Sequence, residues 1–332
     1  MEQMERLRSI YHSGVPEPLL RLSQTAAMTR LRDVGMNCGC EYTAYPRFAL
    51  CGAYSRHTHS LGVGLIVWHF TGELKQAAAG LLHDVSTPVF AHVVDFLRGD
   101  YLRQEATEDG TRELIEASGE LQALLRTYGL GTDEVCDYHR YPIADNDSPR
   151  LSADRLEYTL GNALQFGFAE LPELAELYAD LAVGKNEDGD AELCFRTPRL
   201  ALRFAELALR CGRVYVCDED RYSMQRLSEL LRSAMESGVL TERDLLTTEP
   251  EVVARLNDSA LSAKWRAYRA LREIRRQSTP GEIGAWRRIP AKKRYIDPFV
   301  LCMGRTTALF PAFRAELEAF LREPQDEWLC GG

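Results

Sequence analysis

The chain has 332 residues, 45% of them hydrophobic, with a net charge of −9 and a pI near 5.4. Such length and apolar content exclude wholesale disorder and suffice for one large core or a core with an appended subdomain. The acidic balance excludes general attraction to nucleic acid or anionic membrane, so any phosphate-binding charge must sit in a local patch. The N-terminal MEQMERLRSIYHSG carries charges where a signal peptide needs an apolar centre, and no run of about 18 apolar residues occurs. A cytoplasmic protein that meets no membrane is expected.

Helical periodicity dominates, and sustained two-residue alternation is confined to short stretches such as CGRVYVCDED, so the expected fold class is all-α. In chain order, MTRLRDVG leads into a Gly/Cys/Tyr/Pro-rich loop around NCGCEYTAYPRF, followed by helices expected near Tyr54–Phe70, Gly72–Val85 and Pro88–Leu97. Pro88 suits a first helical turn, where its missing N–H is no loss. TEDGTRELIEASGELQALLRTYG reads as one amphipathic helix ending at Gly129, and the turn-rich YHRYPIADNDSPRLS feeds a long helix from about Ser152. TPRLALRFAELALRCG, DEDRYSMQRLSELLRSAMESG and TEPEVVARL have the caps and apolar stripes of packing helices. The polar GKNEDGDAEL marks the best candidate boundary, dividing the chain into residues 1–184 and a C-terminal helical region, 185–332. Nine scattered cysteines, including Cys38, Cys40 and Cys51, read as reduced, buried small hydrophobes rather than a zinc site.

Five of the seven histidines fall between residues 57 and 92, within otherwise apolar helical sequence. Polar groups removed from water need partners, and a divalent ion is the obvious one. His59, His83, Asp84 and Asp154 are the candidate ligands: two imidazoles and two carboxylates, a set suited to Mn, Fe, Co, Ni or Zn, with Mg also admitted. Consecutive His83 and Asp84 point about 100° apart on a helix, so a shared ion must sit at the helix end between neighbouring helices. His57 reads as a solvent-facing neighbour of the site, His69 as a packed or helix-end residue, and His139 as a turn residue near the pocket mouth. The basic segment 287–294, in RRIPAKKRYIDPF, offers Lys292, Lys293 and Arg294 to a phosphate, or else forms a solvated face or an oligomer contact.

The ordered set RLRDVG, Arg56-His57-Thr58-His59-Ser60-Leu61-Gly62-Val63, Leu81-Leu82-His83-Asp84, Phe90-Ala91-His92 and Asp154-Arg155-Leu156-Glu157-Tyr158 resembles HD-domain metal-dependent phosphohydrolases, most of all their deoxynucleoside triphosphate triphosphohydrolase-like branch. The resemblance covers roughly residues 20–165 and implies an HD-type helical core with the C-terminal helices added to it. It implies that His59, His83, Asp84 and Asp154 bind one divalent metal, that Arg56 touches ligand phosphate, and that His92 acts in catalysis, oriented by Asp95. Tyr158, four residues after Asp154 on the same helical face, would pack on a sugar or base. Arg32 or the 292–294 cluster would neutralise further charge. The implied substrate is a nucleotide or similar phosphorylated small molecule, and a homo-oligomer is the implied assembly.

The chain departs from the family pattern at Thr87, where relatives carry a second histidine, at Gln104-Glu105 in place of a His-Glu pair, and at Asn162 in place of an acid. These changes leave the ligand set whole while thinning the proton-transfer groups. Monophosphatase and cyclic-nucleotide phosphodiesterase chemistry therefore stay open beside triphosphohydrolysis. A sensor or scaffold that keeps the pocket without efficient catalysis is the alternative from another class.

Overall fold

The computed structural model describes residues 2–49, 51, 54–99 and 110–332. Among the described residues the chain is mostly helical rather than all-α, because two small sheets accompany the helices. One has the order β1 (Leu181–Lys185), β2 (Ala191–Phe195), β5 (Phe299–Val300), β6 (Gly304–Arg305); the other places β7 (Trp328–Gly331) between β3 (Ile274–Gln277) and β4 (Arg287–Arg288). Strands of two to five residues are too short to register as alternation. The polar GKNEDGDAEL is the β1–β2 hairpin: Asn186 Oδ1 accepts from the Asp188 and Asp190 amides at 3.0 Å each, and Gly189 turns the chain at φ 85°. The alternating CGRVYVCDED, by contrast, straddles the end of helix Pro198–Val214 and the start of helix Asp218–Glu236.

Helix Arg56–Thr71 starts at Ser55, whose hydroxyl accepts from the Thr58 amide, and stops at Gly72 in the left-handed region. It is buried on nearly every side, which makes it the central post of the fold. It runs beside helix Leu74–Leu82, after which His83 and Asp84 follow in tight turns. The expected helix at Pro88 begins only at Val93 and runs to Arg98, because Phe90 and Ala91 adopt φ 58° and 44°, values incompatible with a right-handed helix. Ser118 divides the stretch expected as one helix into Thr111–Ala117 and Gly119–Thr127, its hydroxyl capping the second. Helix Ala153–Gln165 is capped by Ser152, as its sequence predicts.

Two apolar cores support the site, each built from segments on both sides of residue 184. One joins the N-terminal helices to helices Arg56–Thr71, Leu74–Leu82, Ala153–Gln165 and Pro198–Val214. The other joins Cys38–Cys51 and Val89–Phe96 to helix Asp218–Glu236 and the chain beyond it. A cavity between them draws its walls from both cores. Among the described residues no helix is long and apolar enough to cross a membrane.

Candidate metal centre

His59, His83 and Asp154 present ligand atoms that all lie within 4.8 Å of one another. His59 Nε2 is 3.0 Å from Asp154 Oδ1, and His83 Nε2 is 3.7 Å from the same oxygen. Asp84 Oδ2 closes on both rings, at 3.9 Å from His59 Nε2 and 3.6 Å from His83 Nε2. The two imidazoles are oriented from behind: His59 Nδ1 lies 2.6 Å from Glu157 Oε2, and His83 Nδ1 lies 2.8 Å from the Gly80 carbonyl. An acceptor on each Nδ1 fixes the tautomer that offers the Nε2 lone pair, as metal-ligating histidines require. The donor set and its orientation therefore fit a divalent ion.

The carboxylates are kept ionised despite burial. Burial opposes charge on Asp84, but Arg56 Nη1 at 3.1 Å and the Thr87 hydroxyl at 2.7 Å hold it well below the usual carboxylate range. Burial likewise opposes charge on Asp154, which His59 nonetheless draws down to about 2. Without an ion, His59 is itself pushed up to about 10, as Asp154 and Glu157 outweigh its desolvation. Thr87, where the resembled family carries a histidine, thus braces a candidate ligand.

Arg56 lies in the cavity wall with its Nε unpartnered among the described residues, although Nη1 is committed to Asp84. His92 is in the same wall, its Nδ1 2.8 Å from Asp95 Oδ2, and Asp95 is wholly buried. Burial lowers the His92 pKa, with Asp95 opposing and Arg294 and Arg56 reinforcing the fall. The strained Phe90 and Ala91 just before it cost on the order of 1–3 kcal/mol each, and surrounding bonds hold them. The Val89 amide donates to Leu245 O at 2.8 Å and the Phe90 amide to Glu249 Oε1 at 3.2 Å. Glu249 Oε1 also takes the Gly35 amide at 3.0 Å, tying the turn after RLRD to the turn before His92.

Tyr158, Lys292 and Arg294 line the cavity too, but Lys293 does not. Neighbouring residues of an extended chain face opposite ways, and Lys293 Nζ instead binds the carbonyls of Phe320, Leu321 and Glu323 at the end of helix Pro311–Arg322. Arg32 is exposed and outside the cavity wall; Arg30 is the structural arginine of RLRD, bonding Val85 O, Thr87 O and Thr247 O. Arg287 pairs with Glu229 at 2.6 Å, within the β4 edge. His57 is buried, with Nε2 2.9 Å from Ser23 O, rather than solvent-facing. His69 packs against Phe70 and Tyr178, and His139 pairs with Asp145 at 2.8 Å in its loop. Asn162 donates to the Tyr215 hydroxyl at 2.8 Å, and Gln104-Glu105 lie outside the described residues.

Sequence reasoning gave no role to Glu157, Glu249 or Asp220. Glu157 had a signal: it follows Asp154 by three residues on one helical face, opposite Gly62, where a Cβ would stand 2.6 Å from Glu157 Cγ. Cys38, Cys40 and Cys51 are free and buried, and burial raises all three thiols, Cys38 and Cys51 to about 12.

No protein-family profile matches the chain. It is 28% identical over 221 residues to the uncharacterized protein YdhJ of Bacillus subtilis, a match spanning 63% of this chain and 64% of that protein. It is 24% identical over 299 residues to the metal-dependent phosphohydrolase cns2 of Cordyceps militaris, covering 86% of this chain and 81% of the relative. The fold matches the crystal structure of a hypothetical protein from Aquifex aeolicus with a TM-score of 0.66 and 17% identity, over 96% of this chain and 92% of that one. Over most of its length, then, the chain is similar to a metal-dependent phosphohydrolase, and its His/His/Asp cluster is a candidate centre for such an ion.

Proposed function

We propose that the chain is an HD-type metal-dependent phosphohydrolase that cleaves a nucleotide or similar phosphate ester. The observation that carries this reading is the convergence of His59, His83, Asp84 and Asp154 in one cavity with an Arg56 Nε unpartnered among the described residues and the His92–Asp95 pair. A bound divalent ion would supply Lewis-acid polarisation of the phosphoryl group and a lowered pKa for water.

The protein's own groups do the rest. Arg56, with one nitrogen anchored on Asp84, presents Nε–H to a phosphoryl oxygen, and Lys292 and Arg294 add positive charge in the same wall. His92, with Nδ1 engaged by Asp95, has Nε2 left to carry a proton to the leaving oxygen. Tyr158, Tyr215, Phe48 and Phe166 supply aromatic surface for a ring in the rest of the cavity.

Metal analysis of the purified protein, followed by product identification with dNTPs, NTPs, nucleoside monophosphates and cyclic nucleotides under Mn, Co, Ni and Mg, tests the reading. Tripolyphosphate release would place the protein with the dNTP triphosphohydrolases, and orthophosphate from monophosphates would make it a nucleotidase. Asp84→Ala should lose both metal and turnover; equal activity in this variant and the parent would overturn the mechanism. Thr87, whose hydroxyl is spent on Asp84, favours one further reading, a sensor with a filled metal site. Nucleotide binding with no turnover under any of the metals would support it.

A further inference from the structure

Asp220 stands in the first turn of helix Asp218–Glu236 and lines the same cavity, together with Met36, Phe48, Phe166 and Met224. It is 8% exposed. Its Oδ1 has only the Cys40 thiol, at 3.7 Å, and its Oδ2 has no partner among the described residues. Buried carboxyl oxygens are normally satisfied, so an orphan in a cavity wall asks what ligand completes it. The neighbouring cation does not: Arg221 is committed to Asp218 and to the Ile289 carbonyl. Asn162 repeats the pattern, lining the cavity with Oδ1 unpartnered among the described residues while its amide nitrogen donates to Tyr215.

We propose that Asp220 is the base-reading residue of this cavity, its carboxyl group pairing with a ring nitrogen and the exocyclic amino group beside it, the edge that adenine and cytosine present. The inference rests on the nucleotide reading given above. A carboxyl group that keeps its proton offers an O–H donor and a C=O acceptor side by side, the complement of that edge. Burial favours this form, raising Asp220 to about 8, with Glu219 adding to the rise and Cys40 and Arg221 opposing it. The Cys40 thiol on Oδ1 makes that oxygen the acceptor and leaves the proton to Oδ2, so hypoxanthine and uracil, which present N–H beside C=O in the same pose, would set donor against donor and acceptor against acceptor. Phe48 and Phe166, in a mutual edge contact at 6.4 Å, offer apolar faces for the ring.

The test is calorimetric binding to the metal-loaded protein of AMP against IMP and CMP against UMP, with kcat/KM for the same pairs where they turn over. A preference of roughly 10- to 100-fold for the amino-bearing member of each pair is expected, the worth of one good bidentate contact. Asp220→Asn keeps a donor beside an acceptor and should retain the preference, whereas Asp220→Leu should bring both ratios close to one. Metal content and the thermal transition report whether each variant is folded. Equal binding within the pairs, preference for IMP or UMP, no binding of any of the four, or an intact preference in Asp220→Leu would each overturn the assignment. Because binding is read separately from hydrolysis, selective binding by a protein that turns over none of the dNTPs, NTPs, monophosphates or cyclic nucleotides would retire the phosphohydrolase reading and leave Asp220 in its role.

Discussion

Glu157 Oε2 lies 2.6 Å from His59 Nδ1, and the same oxygen accepts the Tyr54 hydroxyl. A carboxylate buried to 1% exposure thus stands behind a candidate ligand, reached through the gap that Gly62 leaves between helices Arg56–Thr71 and Ala153–Gln165. The pair fixes which nitrogen of His59 faces the cluster and raises that nitrogen's basicity.

Glu157→Gln should therefore weaken metal binding by roughly 10- to 100-fold while leaving all four candidate ligands in place. Competition with a chromophoric chelator measures this directly. Gly62→Ala should act in the same direction, since its Cβ would displace Glu157. Unchanged affinity in both variants would show that Glu157 is a packing residue only.

His92→Ala should retain metal stoichiometry and lose turnover by about 10²- to 10⁴-fold, the usual worth of a positioned proton donor. With its pKa lowered chiefly by burial, His92 is protonated only below the ordinary histidine value of 6.5. If it acts as the acid, kcat/KM falls as pH rises through that lowered pKa. Asp95→Asn removes a bond that favours the charged ring, so it should shift this limb to still lower pH. A pH profile unmoved by Asp95→Asn would rule out His92 as the titrating acid.

A buried carboxylate pair, Glu41 and Glu249, ties stability to pH. Glu41 has both carboxyl oxygens sealed from solvent, and burial, followed by the charge of Glu249, pushes it up to about 8 from an ordinary 4.5. Between those values the folded chain keeps a proton that the unfolded chain has lost, so rising pH favours unfolding across the window. Glu41→Gln removes the titration: it should match the parent near pH 4 and exceed its stability by on the order of 4 kcal/mol at pH 8. Urea midpoints across this range give the answer, and a difference that stays constant with pH would refute the account.

The parts of the site legible in the sequence are those written in local pattern. Ser152 before an apolar stripe gave the Asp154 helix, and the spacing of Asp154 and Tyr158 put both on one face, where both now line the cavity. The hidden parts depend on contacts distant in sequence. Glu249 and Asp220 look like ordinary acids in a first helical turn, complementing a dipole, until folding brings Gly35, Phe90 and Cys40 against them. Lys292, Lys293 and Arg294 are chemically alike, and only the extended path of the backbone sends Lys293 to the end of another helix. The β1–β2 hairpin read as a polar linker because its turn, Asn186 to Asp190, is polar and its strands are five residues each.

Thr87 gives the last prediction. Its hydroxyl holds Asp84 Oδ1 at 2.7 Å while Arg56 holds Oδ2 at 3.1 Å, so the carboxylate is fixed from both sides. Thr87→Val keeps the shape and leaves one buried oxygen unpaired, which should cost about 1–3 kcal/mol in the metal-free protein. Thr87→His introduces the residue type that the resembled phosphohydrolases carry here, but the position is fully buried, and overpacking there should cost about 1–3 kcal/mol as well. The two variants separate at the metal. Thr87→Val frees Asp84 to rotate and should weaken affinity, whereas an imidazole able to reach Asp84 would restore its brace and recover part of that affinity. Thermal unfolding with and without Mn, together with chelator competition, distinguishes them. Wild-type affinity in Thr87→Val would mean that Arg56 alone suffices to position Asp84.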